Sequence, residues 1–97
     1  MSDVIRLTPA ELRDVARQYD TESGNIYDLL TRLDGMSSHL QDVWEGASSQ
    51  AFAQQYQELR PSFDRMAALL NEVSMQLANS AQVLEDTDRQ IASQIRG

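Results

Sequence analysis

In the second half of the chain, apolar and aromatic residues fall at Phe52, Tyr56, Leu59, Phe63, Met66, Leu70, Val73 and Leu77, in alternating steps of four and three. That rhythm draws one stripe along a helix and keeps it long enough for coiled-coil or bundle packing. The register runs on through Ser80, Leu84, Thr87 and Ile91, more polar as it goes. One helix from about 49 to 90 or beyond is predicted. Pro61 lies inside it and removes one backbone hydrogen bond, at a cost of about 3 kcal/mol. It sits opposite the stripe, however, so the freed Gln57 carbonyl meets water and the helix bends or curves around its partner.

The first half carries a second stripe. Leu12, Tyr19, Ile26, Leu33 and Leu40 recur every seven residues, with Val15, Leu29 or Leu30, Met36 and Val43 between them. Its start is well marked. Thr8 offers a capping oxygen, Pro9 suits the first helical position, and Glu11 completes a capping box by reaching back to the Thr8 N–H. Leu7 and Leu12 occupy the hydrophobic-staple positions. The predicted helix covers about 9–42, and its stripe weakens at Glu22-Ser23-Gly24. Gly24 and Gly35 fall off the stripe, each costing about 1 kcal/mol relative to alanine.

Between the helices, at about 43–48, lie Trp44, the only tryptophan, and Gly46. Glycine suits a chain reversal, Ser48 or Ser49 can cap the next helix, and the Trp44 ring can pack between the two helix ends. The predicted fold class is all-α: a helical hairpin of two long antiparallel helices, in one domain over 1–97. Two helices cannot cover each other's apolar faces. Two hairpins docking into an elongated four-helix bundle can.

Composition narrows the function. Fifteen acids against eight arginines, with no lysine, give a formal net charge of −7. Such a surface is repelled by nucleic-acid backbones and anionic membranes. No apolar run approaches the roughly 18 residues of a membrane span, so stable insertion is not expected. Cysteine is absent, which excludes disulfides and thiolate chemistry. The beginning of the chain lacks the basic and apolar regions of a cleaved signal peptide.

Candidate chemistry is sparse. His39 is the sole histidine, with Ser37, Ser38 and Asp42 nearby. A nucleophile–base pair also needs oxyanion donors and a pocket, and one helix supplies neither, so no enzyme activity is expected. Glu85, Asp86 and Asp88 lack the glycine-bearing loop of a calcium hand and read as a solvated face. No metal or cofactor is expected. Asp88 stands out because it shares a helix face with Leu84, Ile91 and Ile95. It is either an acid solvated at a stripe's edge or a charged anchor flanked by apolar contacts.

With Trp44-Glu45-Gly46 at the centre of about a hundred residues and a helix on either side, the chain resembles the WXG100 family. Leu84, Asp88, Ile91 and Ile95 match the family's C-terminal pattern of apolar, acidic, apolar and apolar positions. The start Ile5-Arg6-Leu7-Thr8-Pro9 and the end Gln94-Ile95-Arg96-Gly97 look like the type found in bacilli. Where mycobacterial relatives carry a tyrosine, this chain has Leu84, so tyrosine-specific contacts do not carry over.

The resemblance implies a small protein exported without a cleaved signal by type VII secretion, as substrate and helper of the machine. Its first implied partner is itself, in an antiparallel homodimer. Its second is the membrane-bound FtsK/SpoIIIE-type ATPase, reading Trp44 and Gly46 together with Leu84, Asp88, Ile91 and Ile95. The hairpin and dimer core would comprise Leu12, Tyr19, Ile26, Leu33, Leu40, Phe52, Tyr56, Leu59, Phe63, Met66, Leu70, Val73 and Leu77. Two other readings stay open: a cytosolic adaptor or chaperone carrying larger effectors to the same machine, and a membrane-active secreted effector. The acidic surface argues against the last.

Overall fold

A computed structural model describes residues 7–96 as two helices, α1 over Pro9–Val43 and α2 over Ala47–Arg96, folded back on each other as a hairpin. No strand occurs among the described residues. Thr8 is the extended residue before α1, and its Oγ1 accepts from the Glu11 N–H at 3.1 Å. The other half of the box differs from expectation. The Glu11 carboxylate accepts from the Thr8 hydroxyl at 3.2 Å rather than from its backbone N–H. Residues 1–6, including Ile5-Arg6, and Gly97 lie outside the described residues.

The reversal takes only Trp44, Glu45 and Gly46. Gly46 has φ +114°, a left-handed conformation that strains any other residue. Its carbonyl accepts from the Gln50 N–H at 3.3 Å, so Gly46 itself stands at the start of α2. Neither Ser48 nor Ser49 caps that helix. Both lie inside it, and Ser49 is buried. Pro61 is exposed and α2 runs through it without a break.

The helices pack along a seam of small residues. On α1, Ala16, Ser23, Leu30 and Ser37 recur every seven residues and all are buried, with Leu12 buried a turn before Ala16. Against them α2 sets Ser49, Ala67 and Ala81, also buried, with half-buried Ala53, Phe63 and Ser74 between. Leu30, at 2 % exposure, is the largest fully buried side chain and contributes about 2 kcal/mol. Alanine and serine contribute less but permit close approach of the helices. Closeness then allows hydroxyl-to-backbone bonds: Ser23 donates to the Ala67 carbonyl at 2.7 Å and Ser74 to the Ala16 carbonyl at 2.6 Å. Ser23, in the stretch where the stripe weakens, is thus part of the hairpin's own interface.

These pairs, with Tyr56 against Asp34, share one antiparallel register. At the open end Arg13 donates to Gln82 at 3.2 Å and pairs with Glu85. In that register Pro9 faces Ala81, so beyond about residue 82 α2 has no α1 beside it and projects about 20 Å further. The molecule is a rod of 77 × 27 × 15 Å. It exposes 7594 Å², whereas a compact chain of its 10.9 kDa exposes about 5,600 Å².

Candidate functional site

Three surfaces stand out: the tip, the tail and the face between them. At the tip, Trp44 ends α1 in an extended conformation, its N–H donating to the Leu40 carbonyl at 2.8 Å. Its ring leans on Phe52, centroids 5.9 Å apart and planes tilted by 49°. Trp44 is 39 % exposed and Phe52 42 %, so the pair presents a surface rather than filling a core. Gln41, Gly46, Ser49 and Gln50 line an open cleft beside the Trp44 ring.

The tail lies at the other end. Leu84, Asp88, Ile91 and Ile95 follow one another at helical spacing and all are exposed, Ile95 at 80 %. From Gly46 to Asp88 the helix advances about 63 Å. One chain therefore holds the tip and tail residues at opposite ends and does not bring them together.

The face connects the two. The stripe read from the sequence divides in the structure. Leu12 is buried within the hairpin; Ile26, Leu33, Leu40, Tyr56, Phe63, Leu70, Val73 and Leu77 are half-buried at its edge. Tyr19, Phe52, Leu59 and Met66 are exposed, joined by Met36, Val43 and Leu84. In an antiparallel pair, residues displaced in the same sense from the shared seam on each helix emerge on one side. Tyr19 of α1 and Leu70 of α2 accordingly line one shallow groove. The hairpin thus carries a long, open apolar face.

Elsewhere the hairpin is clasped by charge. The Asp34 carboxylate accepts from Arg60 Nε and Nη2, both at 2.9 Å, and from the Tyr56 hydroxyl at 2.6 Å. The Arg60 hydrogen bonds, then that of Tyr56, hold Asp34 down to about 2. Lost hydration, then the bond to Asp34, pushes Tyr56 up from its ordinary value. This cluster locks helix to helix and was not visible in the residue pattern, because its members are 22 and 26 positions apart.

The histidine group is divided by the packing: Ser37 is buried at the seam with α2, while Ser38, His39 and Asp42 are exposed. In the acidic cluster Glu85 pairs with Arg13, and Asp86 accepts from Gln82 and Arg89 at 3.1 and 3.4 Å. Among the described residues no group of three or more histidine or acidic residues is placed to hold a metal ion. Nor is any described helix long and apolar enough to cross a membrane.

A two-helix hairpin with Trp-Glu-Gly at its tip has a family counterpart. The family described as "WXG100: Proteins of 100 residues with WXG" matches residues 4–89. The chain belongs to the WXG100 family. As a WXG100 protein it is 52 % identical to Protein YukE of Bacillus subtilis over 97 residues, the whole of both chains. It is 29 % identical over 90 residues, 93 % of each chain, to a Staphylococcus aureus protein named type VII secretion system extracellular protein A. A crystal structure of EsxA from Geobacillus thermodenitrificans superposes with a TM-score of 0.85 at 71 % identity, covering 93 % of this WXG100 chain and all of that one.

Proposed function

We propose that this protein is a non-enzymatic substrate of a type VII secretion system. It is exported as an antiparallel homodimer without a cleaved signal and helps the secretion machine to operate. The observation that carries this reading is the separation of tip from tail along a rod with an open apolar face between them. A second copy laid on that face in the opposite direction covers the stripe and sets each tip beside the other copy's tail.

The register can be stated. Between Phe52 and Ser80, the part of the α2 stripe that lies beside α1, the central residue is Met66. A two-fold axis there places Trp44 level with Asp88 of the second copy, since one precedes Met66 by as many residues as the other follows it. Trp44 and Gly46 then join Leu84, Asp88, Ile91 and Ile95 in one composite patch, which the FtsK/SpoIIIE-type ATPase of the machine reads. A lone chain displays half of it, so export is coupled to assembly. The excess exposed area supports this arrangement, because obligate dimers bury roughly 2,000 Å² or more.

The deciding experiment is an export assay. Asp88→Ala is expected to leave helicity and dimer mass unchanged while reducing the protein in the medium. Undiminished export of this variant removes Asp88 from the signal. Wild-type protein that stays in the cell while larger effectors leave would establish the adaptor reading instead.

A further inference from the structure

We infer that Met36 and Met66 form an oxidation site through which peroxide controls assembly of the dimer. The inference rests on the homodimer proposed above. The chain has no cysteine, so its thioethers are its soft, oxidisable sulfurs. Three methionines fall within the described residues, and all are open in the single hairpin: Met36 at 61 %, Met66 at 51 % and Met75 at 65 % exposure. Their positions differ. Met36 and Met66 sit in the apolar stripe, the first among Leu29, Leu33 and Leu40, the second among Leu59, Phe63 and Leu70. Met75 follows Met66 by nine residues, which at about 100° per residue is half a turn away. It lies on the side that the second copy leaves uncovered.

The chemistry is an oxygen transfer. The methionine sulfur gives an electron pair to one oxygen of hydrogen peroxide, the O–O bond breaks, the thioether becomes a sulfoxide and the peroxide leaves as water. The product is polar and seeks hydrogen-bond donors. Around Met66 the stripe is hydrocarbon and aromatic, so a dimer that buries its sulfoxide leaves it unsatisfied, whereas Met36 lies in a groove with Arg32 and His39 and its sulfoxide weakens the dimer less. Met66 magnifies the effect, because a two-fold axis at that residue brings the thioethers of both copies together. Reactivity runs the other way by the same linkage. The dimer shields these two sulfurs, the separated chain exposes them, and oxidation then holds the chain apart.

The test treats the full-length protein with graded hydrogen peroxide above and below its dimer dissociation concentration, with peptide mass mapping and light scattering. In the dimer, Met36 and Met66 are expected to oxidise about tenfold or more slowly than Met75, and all three at similar rates in the monomer. The Met36, Met66 sulfoxide form is expected to need about tenfold or more protein to dimerise. Methionine sulfoxide reductases should restore the original mass. The double variant Met36→Leu, Met66→Leu should remain dimeric through the treatment, and Met75→Leu should behave like the unmodified chain. Equal rates at all three positions in the dimer, or full dimer mass with Met66 oxidised, would overturn the proposal. An untreated protein that is monomeric at tens of micromolar would overturn the dimer reading itself, before any peroxide is added.

Discussion

The hairpin's inner seam and its outer face are built from the same two helices in opposite ways. The seam is made of Ala16, Ser23, Ser37, Ser49, Ala67 and Ala81 around two large residues, Leu12 and Leu30, and it is buried. The face is made of Tyr19, Met36, Phe52, Leu59 and Met66, and it is open. Small residues fix where the helices of one chain meet, through close approach and hydroxyl bonds to backbone carbonyls. Large ones supply the hydrophobic free energy, and a single chain leaves much of that unspent. A fold divided in this way has its register encoded internally while most of its large apolar side chains stay open in the single chain. The half-buried residues Phe63 and Leu70 lie on the border and belong to both.

The sharpest way to break the contrast is a charge on the face. Met66→Asp would place two carboxylates at the proposed axis, each buried and unpaired, at a cost of several kcal/mol. Light scattering should report a monomer and circular dichroism a large drop in melting temperature. Retained dimer mass would show that the face is not where the copies meet.

Placing leucine at either of two adjacent positions sharpens the contrast further. Ala67→Leu adds bulk at a position with no free surface, opposite Ser23, and should cost about 1–3 kcal/mol by forcing the helices apart. Met66→Leu conserves volume on the face and should cost less than about 1.5 kcal/mol. Urea unfolding at fixed protein concentration compares them, and equal effects would erase the distinction between seam and face.

The smallest effect is electrostatic. Asp34 is held at about 2, below its ordinary 3.8. A carboxylate depressed on folding contributes stability that is fully present above the unfolded value and is lost as pH falls through the folded one. The Asp34–Arg60–Tyr56 clasp should therefore weaken between roughly pH 4 and 2, and Asp34→Asn should flatten the acid limb of the stability curve there. An unchanged limb in the variant would mean that the clasp adds nothing on folding.

The helices themselves were legible because their signals are local. Thr8-Pro9 and Gly46 mark the boundaries, and steps of four and three mark the face from Phe52 onward. The seam was not legible. Alanine and serine carry little hydropathy contrast, so Ala16, Ser23 and Ser37 read as gaps in a stripe rather than as an interface. Their seven-residue spacing was the available clue. The clasp escaped because Asp34 and Arg60 meet only after the chain has folded back. At the candidate site, Trp44, Gly46, Leu84, Asp88, Ile91 and Ile95 are singled out by the resemblance to the WXG100 family, with only the shared helix face of the last four readable from spacing. What their pattern did not contain is the length of rod between them, and that length is what makes a second copy necessary to the account.

The most direct test of that necessity is a distance. The chain lacks cysteine, so single Glu45→Cys and Gln90→Cys variants each take one spin label. Mixing tip-labelled with tail-labelled chains and measuring by pulsed dipolar spectroscopy reports tip to tail across copies. An antiparallel dimer centred near Met66 predicts a population below about 25 Å, against about 66 Å along α2 within one chain. A mixture showing only like-to-like short distances, tip to tip and tail to tail, would mean that the copies pair in parallel and would contradict the account.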